Sequence, residues 1–234
     1  MLVLGIETST PHTSVAVGTE RGILASAMLS AGAGASHEVA MPAITQLLGW
    51  AGVTLQQLTG VAVGLGPGLF TGMRVGIATA KTLAQVLGIP IVGVASLDLL
   101  AFDARHARRT ICAVIDAKRG EVFSAFYKPV PGGVARETAF EGGSPQRLAA
   151  DLEARGEDIL VVGGGALVYR RVLEQAGSRV EFASAGHADP AATALVELAV
   201  PRFQREEFDR VFDLQPIYLR KSDAEIAWDR RRTG

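Results

Sequence analysis

The residues best placed to do chemistry lie near the start of the chain. Gly5-Ile6-Glu7-Thr8-Ser9-Thr10 runs on towards Ser14, an acid at a strand end followed by hydroxyls in a hairpin. Hydroxyls and backbone amides of such a turn can hold phosphate oxygens, and the acid can position a metal or a water. The same hydroxyls can cap their own turn instead. The second reading is favoured, because Thr8 and Ser9 stand where a glycine would let backbone approach a phosphate. A second group is Gly64-Leu65-Gly66-Pro67-Gly68-Leu69-Phe70-Thr71-Gly72-Met73-Arg74-Val75-Gly76. Strand, glycine loop and helix is a layout that can set a phosphate on a helix N-terminus. The spacing of Gly66, Gly68 and Gly72 misses G-x-G-x-x-G by one, and Pro67 removes an amide donor from the loop. Gly72 and Gly76 lie on one helix face. Each costs about 1 kcal/mol against alanine, which a close backbone approach from another helix would offset.

Two further motifs are less specific. Ile115-Asp116-Ala117-Lys118-Arg119-Gly120-Glu121-Val122-Phe123 reads as a charge-laced, solvated hairpin, with a phosphate or partner-acid contact as the alternative. Val162-Gly163-Gly164-Gly165-Ala166 is a tight strand-to-helix turn. The C-terminal basic residues Arg220, Lys221 and Arg230 to Arg232 could touch RNA phosphates, but no aromatic residues interleave them.

Several chemistries are excluded. No two of His12, His37, His106 and His187 are four apart, so a zincin-type metal site is absent. There is no G-x-S-x-G elbow. There is no P-loop either; Lys81-Thr82 follows Ala80 inside a helix. A dinucleotide oxidoreductase would need an acid about 20 residues beyond the glycine loop, and Asp98 lies too far along. Cys112 is the single cysteine, which rules out an internal disulfide and a cysteine zinc cluster and points to a reducing compartment. With 23 basic and 24 acidic residues in 234, the net charge of −1 exerts no chain-wide pull on nucleic acid or membrane. The start, Met1 to Ile6, has no basic leader and meets Glu7 too early for a secretory signal. Val39 to Met73 carries no charged residue, yet Pro42, Gln46, Gln56 and Pro67 break it before a membrane span is reached.

The elements that must position these groups follow from periodicity. Leu2–Ile6, Thr13–Val17 and Ile23–Leu29 predict an antiparallel meander. Ser36 is expected to cap a helix to Ala51 that Gly52 closes. Gly60–Gly64 is a strand, Phe70–Leu87 a helix stopped by Gly88 and Pro90, residues 89–94 a strand, and Ser96 caps a helix to about Ala104. The order then partly restarts: strands at 110–115 and 120–127, a helix capped by Ser144, a strand at 158–162, a helix at 166–175, a strand at 180–183 and a last helix opened by Asp189-Pro190. This predicts an α/β chain of two lobes, each a mixed sheet flanked by helices, with an internal duplication suggested by the element order. The N-terminal lobe is placed at 1–103, joined by a return segment from about 206 to 234, and the C-terminal lobe at 104–205. The two first-lobe helices are apolar around most of their girth and need cover. Either another chain or the second lobe supplies it. The former reading makes Met41, Ile44, Leu48, Gly72, Met73, Gly76, Ile77, Ala80 and Ala84 a partner interface.

Taken together, Ile6-Glu7-Thr8-Ser9-Thr10, the run Gly66 to Gly76, Ile115-Asp116-Ala117-Lys118-Arg119-Gly120-Glu121-Val122 and Pro216-Ile217-Tyr218-Leu219-Arg220 resemble the TsaB (YeaZ) family over nearly the whole chain. Leu69 stands where that family usually has a small hydroxyl residue, Glu7 where Asp is common, and Ser36-His37-Glu38 differs in detail. The resemblance implies a two-lobed actin-like (ASKHA, ribonuclease H-like) fold. It implies a bacterial, cytoplasmic, non-catalytic partner of the transferase TsaD in forming N6-threonylcarbamoyladenosine at position 37 of tRNA, and self-association when TsaD is absent. TsaE, a P-loop ATPase, completes the set, and tRNA is reached through the complex. The first turn then resembles the first phosphate loop of actin-like ATPases, and the glycine triplet resembles their adenosine contact. Glu7, Thr8, Ser9, Gly163 and Gly164 would form a degenerate nucleotide pocket. No metal and no cofactor is implied for this chain, and ATP or ADP would be held only weakly or in the complex. The alternative is an ATP-binding actin-like enzyme with its own weak hydrolysis, using Glu7, Thr8 and Gly163 to Gly165.

Overall fold

The computed structural model describes residues 1–30 and 36–220, and the side chains of all of these except 36–38. Ser36 as a helix cap, the His37-Glu38 detail, and Lys221 with Arg230 to Arg232 as phosphate contacts lie outside the described residues.

The meander is present as β1 (Val3–Glu7), β2 (His12–Thr19) and β3 (Gly22–Ser30). β1 pairs antiparallel with β2 and parallel with β4 (Gly60–Gly64), which pairs parallel with β5 (Ile91–Val94), giving the order β3-β2-β1-β4-β5. Side chains alternate between the two faces of this sheet. Leu4, Ile6, Val15, Val17, Val61 and Val63 turn towards α1 (Ser36–Ala51) and α2 (Phe70–Leu87). Val3, Ala16, Ala62 and Val92 turn the other way, towards α7 (Ala192–Gln204) and one side of α3 (Ser96–Asp103). α2 ends as predicted, on Gly88 at φ 64°, a left-handed conformation that glycine adopts without steric cost.

The second sheet repeats the plan. β6 (Thr110–Lys118), β7 (Glu121–Val130) and β8 (Gly133–Arg136) form the antiparallel part, with β9 (Glu141–Gly143) also on β7. β10 (Ile159–Val162) and β11 (Val180–Phe182) extend β6 in parallel. Read from its far edge, β8-β7-β6-β10-β11 has the topology of the first sheet. One face is covered by α3; the other is covered by α4 (Pro145–Arg155), α5 (Gly164–Val168) and α6 (Arg170–Leu173).

Three differences from expectation have physical reasons. β8 and β9 are short, polar and glycine-bearing, so no alternation announces them. The helix expected over 166–175 breaks at Tyr169, whose φ −105° and ψ 18° are not helical. α7, grouped by chain order with the second lobe, lies on the first sheet, where Leu195, Ala199 and Phe203 share with α3 the covering of its second face. The return to that lobe thus begins with α7, earlier than residue 206. It continues through Asp209, which bridges to Ile91, and Leu214, buried in the α1/α2 core.

Candidate functional site

Glu7 ends β1 fully buried. Its Oε1 accepts the Ser9 N–H at 2.6 Å and its Oε2 accepts the Ser96 hydroxyl at 2.8 Å. Ser96 Oγ in turn accepts the Gly66 N–H at 3.1 Å, and the Ser96 N–H donates to the Gly66 carbonyl at 2.7 Å. One carboxylate therefore knits together the β1–β2 turn, the loop before α2 and the start of α3. Burial holds its pKa above the usual carboxylate range, and the hydrogen bonds from Ser9 and Ser96 pull against that rise. Gly64 is required beside it, since a β-carbon there would collide with the carboxylate. Ser96 does not cap α3 as expected; Ala95 is the N-cap, and the serine hydroxyl reaches 89 residues back to Glu7.

The glycine row on α2 has an occupant within the chain. The Thr8 hydroxyl donates to the Gly72 carbonyl at 2.7 Å, and the Leu69 N–H donates to the Ser9 carbonyl at 2.7 Å. A β-carbon on Gly68 would come within 2.7 Å of Ser9 Cβ. One on Gly72 would overlap the Thr8 carbonyl oxygen, and one on Gly76 the Thr8 hydroxyl. Gly68, Gly72 and Gly76 are thus the seat of the β1–β2 turn. The close approach read from Gly72 and Gly76 exists, but a turn of the same chain makes it rather than a partner helix.

The expected partner stripe is corrected in the same way. Ile44, Leu48, Met73, Ile77, Ala80 and Ala84 are each at most 5% exposed, and all but Met73 belong to the core between α1, α2 and the first sheet. The sheet face needs two helices to cover it, and their apolar stripes do so. Of the nine residues named, only Met41 is exposed, at 40%. Apart from Met41, what α1 and α2 turn outwards lies off that stripe and includes Thr45, Gln46 and Trp50 on α1, and Thr71, Arg74, Ala78, Thr82, Gln85 and Val86 on α2. Trp50 is 63% and Val86 77% exposed, and Arg74 is the one charge in that set.

In the second lobe, Asp116 accepts the Lys118 N–H at 2.8 Å, pairs with Lys118 Nζ at 2.8 Å and receives the Tyr169 hydroxyl at 3.4 Å. Glu121 pairs with Arg220 at 2.7 Å. Asp116 and Lys118 thus face each other, and Glu121 faces the C-terminal segment. Gly163, at φ 103°, lies against the Val114 carbonyl, and a β-carbon on Gly165 would come within 2.7 Å of Val114 Cγ1 and 3.0 Å of the Asp116 nitrogen. These glycines let the β10–α5 turn lie directly on β6. Gly164 faces the Ala188 carbonyl. His12 meets Asp189 at 3.0 Å, and Ser14 Oγ accepts the Ala192 N–H at the head of α7 at 2.9 Å. Ser96 and Asp189 carry no sequence signal for these roles, because each acts on a residue far away in the chain. Among the described residues, no three His, Cys, Asp or Glu side chains converge as a metal-ligand set, and no helix is long and apolar enough to cross a membrane.

Comparison with known proteins places this geometry. The family described as TsaD, tRNA N6-adenosine threonylcarbamoyltransferase, matches residues 31–228. The tRNA threonylcarbamoyladenosine biosynthesis protein TsaB of Bacillus subtilis (strain 168) is 31% identical over 230 residues, covering 97% of this chain and 98% of the relative. The solved structure of YeaZ from Pseudomonas aeruginosa superposes with a TM-score of 0.79 at 29% identity, over 93% of this chain and 99% of that one. Component A of the Acidaminococcus fermentans (R)-2-hydroxyglutaryl-CoA dehydratase, at TM-score 0.50 and 13% identity, shares the fold alone. The two-lobed architecture is actin-like.

Proposed function

Because the chain belongs to the TsaB (YeaZ) family, within the wider group that the TsaD description covers, we propose that it is a non-catalytic subunit that pairs with a TsaD-type transferase to form N6-threonylcarbamoyladenosine on tRNA. The observation that carries this reading is the filled first turn. Glu7 is bonded to Ser9 and Ser96, Thr8 to Gly72, and the Ser9 carbonyl to Leu69. The groups that would handle a phosphate are engaged by the chain itself. The transferase contacts the outward faces of α1 and α2, where Met41, Trp50, Ala78 and Val86 are exposed with little charge among them. Exposed apolar residues on neighbouring helices, poor in charge, are the composition of an interface core. In the same reading a P-loop ATPase of the TsaE type joins the pair and tRNA is reached through the complex. The chain self-associates when the transferase is absent, works in the cytoplasm, and requires neither metal nor ATP of its own.

Reconstitution with the TsaD-type and TsaE-type proteins tests this. Ala78→Glu with Thr82→Glu, both on exposed positions, should abolish co-purification with the transferase and modification of tRNA while the isolated chain stays folded. Glu7→Gln should keep both. Mg-ATP turnover by the purified chain, or loss of modification in Glu7→Gln with the complex intact, would establish the enzyme reading instead.

A further inference from the structure

We infer that residues 215–220 are a strap that fastens the two lobes to each other, with Tyr218 as its releasable clasp. The segment leaves Leu214, buried in the first-lobe core. The Ile217 N–H donates to the Leu65 carbonyl at 2.8 Å, just beyond the end of β4. The Tyr218 ring stacks on Phe70 with centroids 5.1 Å apart, and its oxygen accepts the Arg74 Nε–H at 2.8 Å. The Arg74 guanidinium lies 3.9 Å over the Phe70 ring. One residue further on, the chain has changed lobes. Leu219 packs on the second-lobe core, and Arg220 pairs with Glu121 at 2.7 Å.

Both anchorages adjoin the candidate site. Phe70 follows Leu69, which holds the Ser9 carbonyl, and Glu121 follows the turn at 118–120. They sit where β4 ends and where β6 turns into β7, so the strap joins the site ends of the two sheets. Its contacts also differ in kind from those that build the cores. Tyr218 is 43% exposed, Arg74 is exposed, and the Arg220–Glu121 pair is partly solvated. Stacking, cation–π and exposed ion-pair contacts are individually weak and salt-sensitive. Such a set can release while the lobes stay folded. The other ties, among them α3, Val134 of β8 against the first-lobe core and the His12–Asp189 contact, then form the hinge about which a two-lobed molecule opens. The inference does not depend on which partner the α1/α2 face meets.

The test is a spin-label distance in the full chain, with Thr45→Cys on α1 and Glu153→Cys on α4, the labelled chain being diluted in an excess of unlabelled chain so that only distances within one molecule are read. Both positions are exposed, and the native Cys112 is buried and stays unlabelled. The parent should give one narrow distance. Tyr218→Ala and, separately, Arg220→Glu should each add a second population of altered distance, at least a quarter of the molecules. Adding Glu121→Arg to Arg220→Glu should restore the single distance. An unchanged distribution in both strap variants, or no recovery in the charge-swapped pair, would overturn the inference. Tyr218→Phe, which keeps the stack and loses only the hydroxyl bond, should fall between parent and Tyr218→Ala; an effect equal to that of alanine would assign the clasp to the hydrogen bond and overturn the stacking part.

Discussion

Replacing Gly72 by alanine separates two accounts of the α2 glycines by the sign of a stability change. If the row were kept clear for a partner helix, the isolated chain would have open space there, and Gly72→Ala would stabilise it by about 1 kcal/mol through helix propensity. The structure predicts the opposite. The new β-carbon would overlap the Thr8 carbonyl oxygen, so the β1–β2 turn must move away. That motion loosens two buried hydrogen bonds of 2.7 Å, from the Thr8 hydroxyl to Gly72 and from the Leu69 N–H to Ser9. Each contributes about 1 kcal/mol net, and overpacking adds about 1–3 kcal/mol. Against the propensity gain, the balance is a loss of roughly 2–4 kcal/mol. At about 2–4 °C per kcal/mol for a chain of this size, the melting midpoint should fall by roughly 4–16 °C. The assay is urea and thermal unfolding of the isolated chain by circular dichroism. Gly49→Ala supplies the control, because nothing lies within 4 Å of a β-carbon at that exposed position of α1. It should raise stability by up to about 1 kcal/mol. A Gly72→Ala chain as stable as the parent, or more so, would refute the seat and return the row to a partner.

Two further perturbations probe charge. Glu7→Gln keeps the shape and one of the two acceptor oxygens, so it loses only one of the hydrogen bonds from Ser9 and Ser96, and its urea midpoint should fall by less than that of Glu7→Ala. Glu7→Ala leaves the Ser9 N–H and the Ser96 hydroxyl without their acceptor and should lose roughly 2–4 kcal/mol in the same titration. Asp103, at the end of α3, is held up to about 6, first by burial and then by Glu197, with His187 and Arg105 pulling it down. A carboxyl raised in the folded state binds its proton more tightly than in the unfolded chain, so the associated stability is present below the ordinary value of 3.8 and is lost as pH rises to about 6. Asp103→Asn should flatten that slope and stabilise the chain at pH 7 by about 1–2 kcal/mol, allowing for partial exposure. An unaltered pH profile would show that Asp103 titrates normally.

The limits of α2 and the identity of its neighbours show where local pattern stops being informative. Phe70–Leu87 was legible to the residue, because a glycine loop, an apolar period and a left-handed Gly88 are all local signals. The three-strand meander and the Ser144 cap, whose Oγ accepts the Arg147 N–H at 3.2 Å, were legible for the same reason. Periodicity says that one face of a helix is small or apolar; it does not say what lies against it. Thr8 is 64 residues from Gly72, so the seat could not be told from a docking groove. α7 presents the same difficulty, since Leu195, Ala199 and Phe203 would read alike against either sheet. Glu7 was legible as the polar centre of the first turn, but its bond to Ser96 was hidden behind a residue that looks like a helix cap. The full-length resemblance carries the family, and the residue contacts then decide which parts of the shared pattern are structural. In this chain the glycine row is one of those parts. Under the proposed function the partner surface is the outer side of α1 and α2 around Met41, Trp50, Ala78 and Val86, of which the apolar stripe had marked only Met41.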